Sequence, residues 1–373
     1  MAASSMIGDG ARRGGRALAF AYGTALTAAA ALALGVTLFG NPHAGEPVVE
    51  IPIHLRPVAR AVPKPPPAEA TAPSPDEALS VTGQKLALAA PPQAPPGPPP
   101  APAPAVTGSV AVADPALIEK TPQGPLPRIA DNGTPPFKAY ASPAAINGRP
   151  RIGIVISGLG MSAKSTEAAI NTLPAGVTVA FFPYAIDVQR WVTLARQKGH
   201  EVLLEVPMEP YDFPDSDPGQ YTLRTGIGED ANTKRLVWSL TRFTGYVGVT
   251  NLLGGRLLSD AGALEPMLTY LTRRGLLFFD NGSALHSVAA DVAARVGVPF
   301  CQATMTIDSI QSAMEIDRRL SDLETEARTK GSAAGSGFLY PVTVERVNVW
   351  AHGLAGRGFV LAPVSAIVAT GKS

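Results

Sequence analysis

From residue 150 onward, short apolar runs alternate with longer segments whose apolar residues recur at helical spacing. This alternation is typical of βα units around a parallel sheet. It predicts strands at residues 152–156, 177–182, 202–206, 247–251, 276–279, 300–304, 335–339 and 359–362. It predicts helices between them at residues 163–173, 188–197, 231–243, 263–273, 287–296, 310–329 and 342–353. A barrel and an open doubly wound sheet both fit, and both place binding loops at the carboxyl ends of the strands.

The first 150 residues have a different pattern. Residues 17–39 carry no charge and follow three arginines, Arg12, Arg13 and Arg16. The stretch is about long enough to cross a bilayer as a helix, and the arginines favour a cytoplasmic N-terminus at residues 1–16. The uncharged stretch at residues 17–39 is therefore predicted to be a single-pass transmembrane signal anchor. A cleaved signal peptide is the alternative, although residues 41–45 lack a clear small-x-small cleavage site.

Residues 40–149 contain most of the 37 prolines of the chain, together with many alanines. Proline removes backbone hydrogen-bond donors and favours polyproline II, so this stretch is predicted to be a disordered linker. A docking strip for a proline-binding partner is the alternative, but no specific motif supports it. The folded domain is then predicted at residues 150–373. In a Gram-negative cell, the anchor would place this domain in the periplasm and the protein in the inner membrane.

Composition narrows the function classes. The formal net charge is +1, and no cluster of Lys and Arg with interleaved aromatics occurs, so nucleic acid is not an expected partner. The single cysteine, Cys301, excludes an intrachain disulfide and a cysteine-based zinc knuckle. No two histidines have the i, i+3 or i, i+4 spacing of an ordinary zinc site. P-loop, nucleophile-elbow and dinucleotide-binding motifs are also absent from the sequence.

The loops after the predicted strands resemble the divergent polysaccharide deacetylase family. The most distinctive motif is Gly-His-Glu-Val-Leu-Leu-Glu-Val-Pro-Met-Glu-Pro at residues 199–210. Further matches follow in order: Ile154-Val155-Ile156 before Leu159-Gly160, Phe182-Pro183-Tyr184, Gly248-Val249 before Asn251 and Gly254, Phe278-Phe279-Asp280, and Tyr340-Pro341 with Thr343. The resemblance covers residues 151–366. It implies a distorted seven-stranded (β/α) barrel, related to carbohydrate esterases in which a divalent metal, usually zinc, polarises an acetyl carbonyl and activates water.

The chain departs from the family pattern at the metal and base positions. Ser157-Gly158 stands where Asp-Asp is typical, and Glu205 stands where a His is frequent. Leu252 replaces the His of an Asn-His-Met-Gly motif, and residues 338–341 lack a His as well. Since leucine cannot ligate a metal and glycine cannot act as a base, no cofactor is expected. Zinc or another divalent metal is expected only if the domain is active.

The candidate site residues lie in the strand-end loops. The catalytic candidates are Asp280 and Glu209, and the metal ligands, if a metal binds, are Glu205, Asp280 and His286. The substrate-binding candidates are Ser157, Tyr184, Glu205, Met208, Asn251, Arg256, Asp308 and Tyr340. For Glu209 and Asp280 two other roles stay open, namely hydrogen bonding to loop amides and binding of sugar hydroxyl groups. His200 begins a strand, so it is expected to have a packing role.

Two hypotheses follow for the function. The leading one is a membrane-anchored envelope protein whose deacetylase-like domain binds glycan, such as cell-wall polysaccharide, without catalysis. The alternative is an active metal-dependent carbohydrate deacetylase with a reorganised site. A third hypothesis, a regulatory partner of a cell-wall enzyme, rests only on the predicted anchor and linker.

Overall fold

The structure is a computed structural model that describes residues 114–144 and 148–368. The predicted anchor at residues 17–39 and most of the predicted linker lie outside these residues. Within the described residues, no helix is both long enough and apolar enough to cross a membrane.

Residues 114–144 are ordered, which corrects the predicted linker boundary at residue 149. They form an antiparallel hairpin of β1 (Ile118–Thr121) and β2 (Gly124–Pro127), followed by the short helix α1 (Pro136–Ala139). Leu117 and Tyr140 are buried together with residues of the main sheet. The proline content concealed the hairpin because a two-stranded ribbon consists of edge strands, where proline is tolerated.

The remaining elements confirm the predicted alternation of strands and helices. They are β3 (Arg151–Leu159), α2 (Ala163–Thr172), β4 (Thr178–Phe181), α3 (Val188–Gln197), β5 (Val202–Met208), α4 (Glu229–Leu240), β6 (Gly248–Leu253), α5 (Gly255–Leu258), α6 (Ala261–Arg273), β7 (Leu277–Asp280), α7 (Ala289–Val296), β8 (Phe300–Gln302), β9 (Met305–Thr306), α8 (Ala313–Lys330), β10 (Ser332–Phe338), α9 (Pro341–Leu354) and β11 (Val360–Leu361). The single strand predicted at residues 300–304 is divided into β8 and β9, and the short α5 was not predicted.

The strands of the domain form one parallel sheet with the order β8-β7-β6-β5-β4-β3-β10-β9, and β11 pairs with β3. The two ends of this order, β8 and β9, are halves of the same segment, residues 300–306. The sheet therefore curls until both of its edges meet the same short stretch of chain. The prediction of an α/β fold with a parallel sheet is confirmed.

Side chains alternate between the two faces of the curled sheet, as the period of a strand requires. Ile154 and Phe181 pack with the helices on the convex face. Val155, Ala180 and Phe279 pack with one another on the concave face. Because both faces are covered, the strands are apolar on both sides.

The amino ends of the strands are closed by the chain segments before and after the sheet. Glu201 is fully buried there and accepts hydrogen bonds from the Ser142 amide, the Thr178 hydroxyl and Ser365. Burial raises the pKa of Glu201 above its usual value. A binding site for the concave face therefore has to lie at the opposite end, where the strands finish.

His200 lies at the closed end and has the predicted packing role. Its side chain is 1% exposed, and its ring nitrogens lie 3.0 Å and 3.1 Å from the carbonyl oxygens of Val177 and Ile170. Burial lowers the pKa of His200. The imidazole therefore ties the start of β5 to neighbouring backbone, far along the strand from the loops of the open end.

Candidate functional site at the carboxyl ends of the strands

Glu205 lies on the concave face of β5, near the end of the strand. Its side chain is 1% exposed, and its Oε1 accepts a hydrogen bond of 2.5 Å from the backbone amide of Gly158. Burial raises the pKa of this carboxyl from 4.5 to about 8, and no charged side chain offsets the effect. Glu205 is therefore protonated at neutral pH and acts as a neutral polar group.

Thr250 is the register partner of Glu205 on the adjacent strand β6, and in a parallel pair such partners project from the same face. Its Oγ1 is buried and has no hydrogen-bond partner within residues 114–144 and 148–368. Most buried hydroxyl groups are hydrogen-bonded. The concave face thus contains a neutral carboxyl group beside an unpartnered hydroxyl, close to the predicted binding residue Ser157 on β3.

Asp280, the first catalytic candidate, is fully buried and projects toward the helices rather than the concave face. Its Oδ1 accepts a hydrogen bond from the Gly282 amide at 2.9 Å. Its Oδ2 accepts hydrogen bonds from Ser287 at 2.6 Å and from Gln302 at 3.2 Å. Both oxygens are therefore occupied by protein donors, and the carboxylate fastens the β7–α7 loop to β8.

Glu209, the second catalytic candidate, is hydrogen-bonded among the described residues through only one of its two carboxylate oxygens. Its Oε2 accepts hydrogen bonds from the amide and the hydroxyl of Thr225, at 2.7 Å and 3.0 Å. Its Oε1 lies 3.9 Å from a guanidinium nitrogen of Arg256, whose side chain is about half exposed. The predicted hydrogen bonding of Glu209 and Asp280 to loop amides is confirmed.

Two further candidates also hold the loops in place. Asp308 accepts hydrogen bonds from the Phe338 amide at 2.7 Å and the Thr343 hydroxyl at 2.8 Å. Burial raises the pKa of Asp308 even though these donors oppose the shift. Asn251 and Asn281 exchange side-chain and backbone hydrogen bonds of 2.9 Å and 3.0 Å between the ends of β6 and β7.

Met208 does not reach the loop surface, which corrects its predicted contact with substrate. Its side chain is completely buried on the convex face. Gly254 packs directly against it with φ of 100°, and a Cβ at this position would lie 2.8 Å from the Met208 Cβ. The Gly254 turn therefore depends on the absence of a side chain, and Met208 forms its support.

The two tyrosines among the candidates are partly exposed. Tyr184 packs against Trp238 at 4.9 Å between ring centroids, and its hydroxyl accepts a hydrogen bond from the Tyr221 amide at 3.0 Å. Burial raises the pKa of the Tyr184 hydroxyl. Tyr340 precedes α9 and lies 5.1 Å from the ring of Phe338. Aromatic side chains therefore border the loop region after β4 and after β10.

The sequence profile of the divergent polysaccharide deacetylase family matches residues 154–368, which is more than half of the chain. The chain belongs to this family. The resemblance carried by the strand-end motifs is thereby confirmed, and the protein is a deacetylase-like, carbohydrate-related family member.

Three relatives show how far the similarity extends. The crystal structure of an uncharacterized protein of Agrobacterium tumefaciens C58 has 37% sequence identity and a TM-score of 0.65, and the match covers 66% of this chain and 100% of that one. YibQ, an uncharacterized protein of Escherichia coli, is 25% identical over 205 residues, which is 55% of this chain and 63% of YibQ, less than two thirds of its length. An uncharacterized protein of Haemophilus influenzae is 25% identical over 194 residues, 52% of this chain and 68% of its own.

The metal that family resemblance implies does not fit the residues at this site. Within the described ranges, no group of three or more His, Cys, Asp or Glu is arranged to hold a metal ion. The alternative ligand set does not form, because Glu205 faces the concave side while Asp280 bonds to Ser287 and Gln302. His286 is exposed on the loop before α7. Within the part of the chain that the structure describes, the predicted ligands Glu205, Asp280 and His286 therefore do not come together as a metal-binding set.

Some features of the site have weak signals in the sequence. Thr250 lies inside a predicted strand, and only the register of β6 against β5 reveals that it adjoins Glu205. Trp238 lies on a predicted helix, and its contact with Tyr184 depends on the fold of the long loop between β5 and α4. An alternating pattern predicts which face of a strand a side chain occupies. Contacts between loops that are distant in sequence can be identified only from the structure.

Proposed function

We propose that this family member binds glycan through the loops at the carboxyl ends of its strands and does not hydrolyse it by a metal mechanism. One observation carries the proposal: the acidic side chains at the strand ends are held by protein donors. Asp280, Glu209 and Asp308 each accept two or more hydrogen bonds from neighbouring loops, strands or helices. These hydrogen bonds give each carboxylate a structural role that accounts for its burial without a catalytic one.

The same hydrogen bonds give the proposal its physical basis. Loops that are fixed in advance lose little conformational freedom when a ligand binds, so affinity is gained without a catalytic group. Family membership supports a carbohydrate as the ligand. We further infer that the curled sheet is a distorted seven-stranded barrel, with β8 and β9 as two halves of one strand and β11 as an addition.

The proposal also extends to the cellular location. Residues 17–39 have the length and composition of a membrane anchor, which supports an envelope protein with its domain outside the cytoplasm. Protease treatment of spheroplasts tests this location. The domain should be digested without lysis, and protection until lysis would contradict the proposed topology.

The function is tested with the full-length protein and an N-acetylated glycan, chitotetraose. Isothermal titration should detect saturable binding, bound metal measured by mass spectrometry should be substoichiometric, and acetate release should stay at background with zinc or cobalt added. Stoichiometric metal, together with acetate release that is lost in a folded Asp280→Asn variant, would show that the active deacetylase is the correct alternative. Absence of binding to chitotetraose would refute the binding function.

A further inference from the structure

A separate pocket of about 430 Å³ lies beside the loop that follows β4. Its lining side chains come from that loop, from the start of α3, and from the end of α4 and the residues just after it: Pro183, Tyr184, Asp187, Gln189, Trp238 and Arg242. None of these residues other than Tyr184 belongs to the predicted site. Its volume falls within the range of pockets that bind small molecules, which combine apolar walls with a few polar groups.

The aromatic wall of the pocket is fixed before any ligand binds. The Trp238 indole stacks on Tyr221 with 3.7 Å between centroids and 5° between ring planes. Tyr184 lies 4.9 Å from the indole, and the guanidinium of Arg242 lies 4.6 Å from it. Because three neighbours hold the indole, little side-chain entropy remains to be lost on binding.

Three polar groups in this lining have no hydrogen-bond partner within the described part of the chain. They are the carboxylate of Asp187, Nε1 of Trp238 and Nη1 of Arg242; Arg242 uses only its Nε and Nη2, on Trp238, Gln123 and Thr241. Gln189 differs, because its amide bonds to Thr244 at 2.8 Å and 3.4 Å. One acceptor and two donors are therefore available to a ligand.

The charges of the pocket restrict the ligand. Asp187 and Arg242 have opposite signs, and no ion pair within 4.0 Å joins them in the described ranges. Asp187 disfavours an anion and Arg242 disfavours a cation, while an alkyl chain would offer neither group a hydrogen-bond partner. A neutral ring with both hydroxyl donors and carbonyl or hydroxyl acceptors satisfies the set.

We propose that this pocket is a binding subsite for one neutral pyranose unit of a glycan, with Asp187 accepting hydrogen bonds from sugar hydroxyls and with Arg242 and Trp238 donating. The inference rests on the proposed glycan-binding function. It adds a second binding location beside the loops at the carboxyl ends of the strands. The apolar face of the ring would pack beside Tyr184 and Trp238, since aromatic side chains combine a large apolar surface with a polar edge.

The test uses the full-length protein and isothermal titration with chitotetraose. Asp187→Asn and Arg242→Gln each remove one charged partner, and Trp238→Phe removes the Nε1 donor while it keeps an aromatic ring. Each variant is expected to bind about 10-fold more weakly, because each loses a hydrogen bond to the ligand. Asp187 is exposed and caps no helix through its side chain, so Asp187→Asn should retain the wild-type melting temperature.

Matched controls are Lys198→Gln, at the opposite end of α3, and Asp291→Asn on α7, which make the same charge changes at exposed positions away from the pocket. Weaker binding in the pocket variants with unchanged controls supports the subsite. If the wild type binds and all three pocket variants bind equally well, the subsite is refuted while the glycan-binding function stands. If the wild type does not bind, the function fails and the subsite fails with it.

Discussion

Glu205 and Gly158 are joined by a hydrogen bond across the concave face, from the backbone amide of Gly158 on β3 to the carboxyl oxygen of Glu205 on β5. The strand between them, β4, ends at Phe181, so the long Glu205 side chain reaches past it. Gly158 has φ of 88°, and a Cβ there would lie 2.5 Å from the Phe338 ring. This bond therefore fixes the irregular end of β3, where the register against β4 shifts between Ile156 and Leu159.

The Glu205 carboxyl should make the stability of the domain depend on pH. Its pKa is about 8 in the fold and 4.5 in the absence of burial. Between these values the folded state holds a proton that the unfolded state has released, so stability decreases as the pH rises from about 5 to about 8, by up to about 1.4 kcal/mol per pH unit. Urea unfolding of the wild type at pH 5, 7 and 9 measures this decrease.

Glu205→Gln is the matched control, since its amide oxygen can still accept from Gly158 but does not titrate. The variant should lose most of the decrease between pH 5 and pH 8 and should be more stable than the wild type at pH 9. Parallel stability curves for the two proteins would show that Glu205 ionises with an ordinary pKa.

Thr250→Val should cost little stability or increase it, because it removes a buried hydroxyl that has no partner and preserves the shape of the side chain. Thr343→Val is the comparison, since the Thr343 hydroxyl donates to Asp308 at 2.8 Å. The Thr343→Val variant should have a free energy of unfolding lower by about 1–3 kcal/mol, because Asp308 is left with one fewer hydrogen-bond donor in a buried site. Chemical denaturation gives both values. Equal losses would mean that Thr250 has a partner of its own in solution.

Asp280→Ala should destabilise the domain by about 3 kcal/mol, since it removes an acceptor from the Gly282 amide, Ser287 and Gln302. Asp280→Asn keeps an acceptor oxygen and should therefore lose less stability than Asp280→Ala. Melting temperatures and urea midpoints distinguish the two. A stable Asp280→Ala variant with altered ligand affinity would instead place Asp280 in direct contact with ligand.

The order of strands and helices was predictable because both faces of a parallel sheet are buried, and each strand then appears as an apolar run between helical segments. α3, at Val188–Gln197, has the bounds that its pattern predicts. The division of residues 300–306 was not predictable, since it depends on which neighbour each half pairs with in space. The curl of the sheet is encoded by these pairings rather than by local composition.

The faces on which the candidate site residues lie could not be predicted from strand position alone. Position at a strand end identified Glu209 and Asp280, but it did not specify which face each carboxylate would occupy. Asp280 follows Phe279, and alternation along β7 places the phenyl ring on the concave face and the carboxylate on the other. The role of such a residue is decided by its donors, which for Asp280 are Gly282 and Ser287 in the following loop and Gln302 on β8.

The N-terminal hairpin, together with Leu117 directly before it, provides the last prediction, because it distinguishes a folded part of the domain from a linker. Leu117→Ala should lower the free energy of unfolding by about 2–4 kcal/mol, since Leu117 is 1% exposed and its truncation leaves a cavity beside Tyr140 and the concave face. Lys120→Ala, on the exposed face of the same hairpin, should change stability by less than about 0.5 kcal/mol. Urea denaturation of the full-length chain measures both. If Leu117→Ala is as neutral as Lys120→Ala, residues 114–144 are only an extension of the linker, and the closed end of the sheet is covered without them.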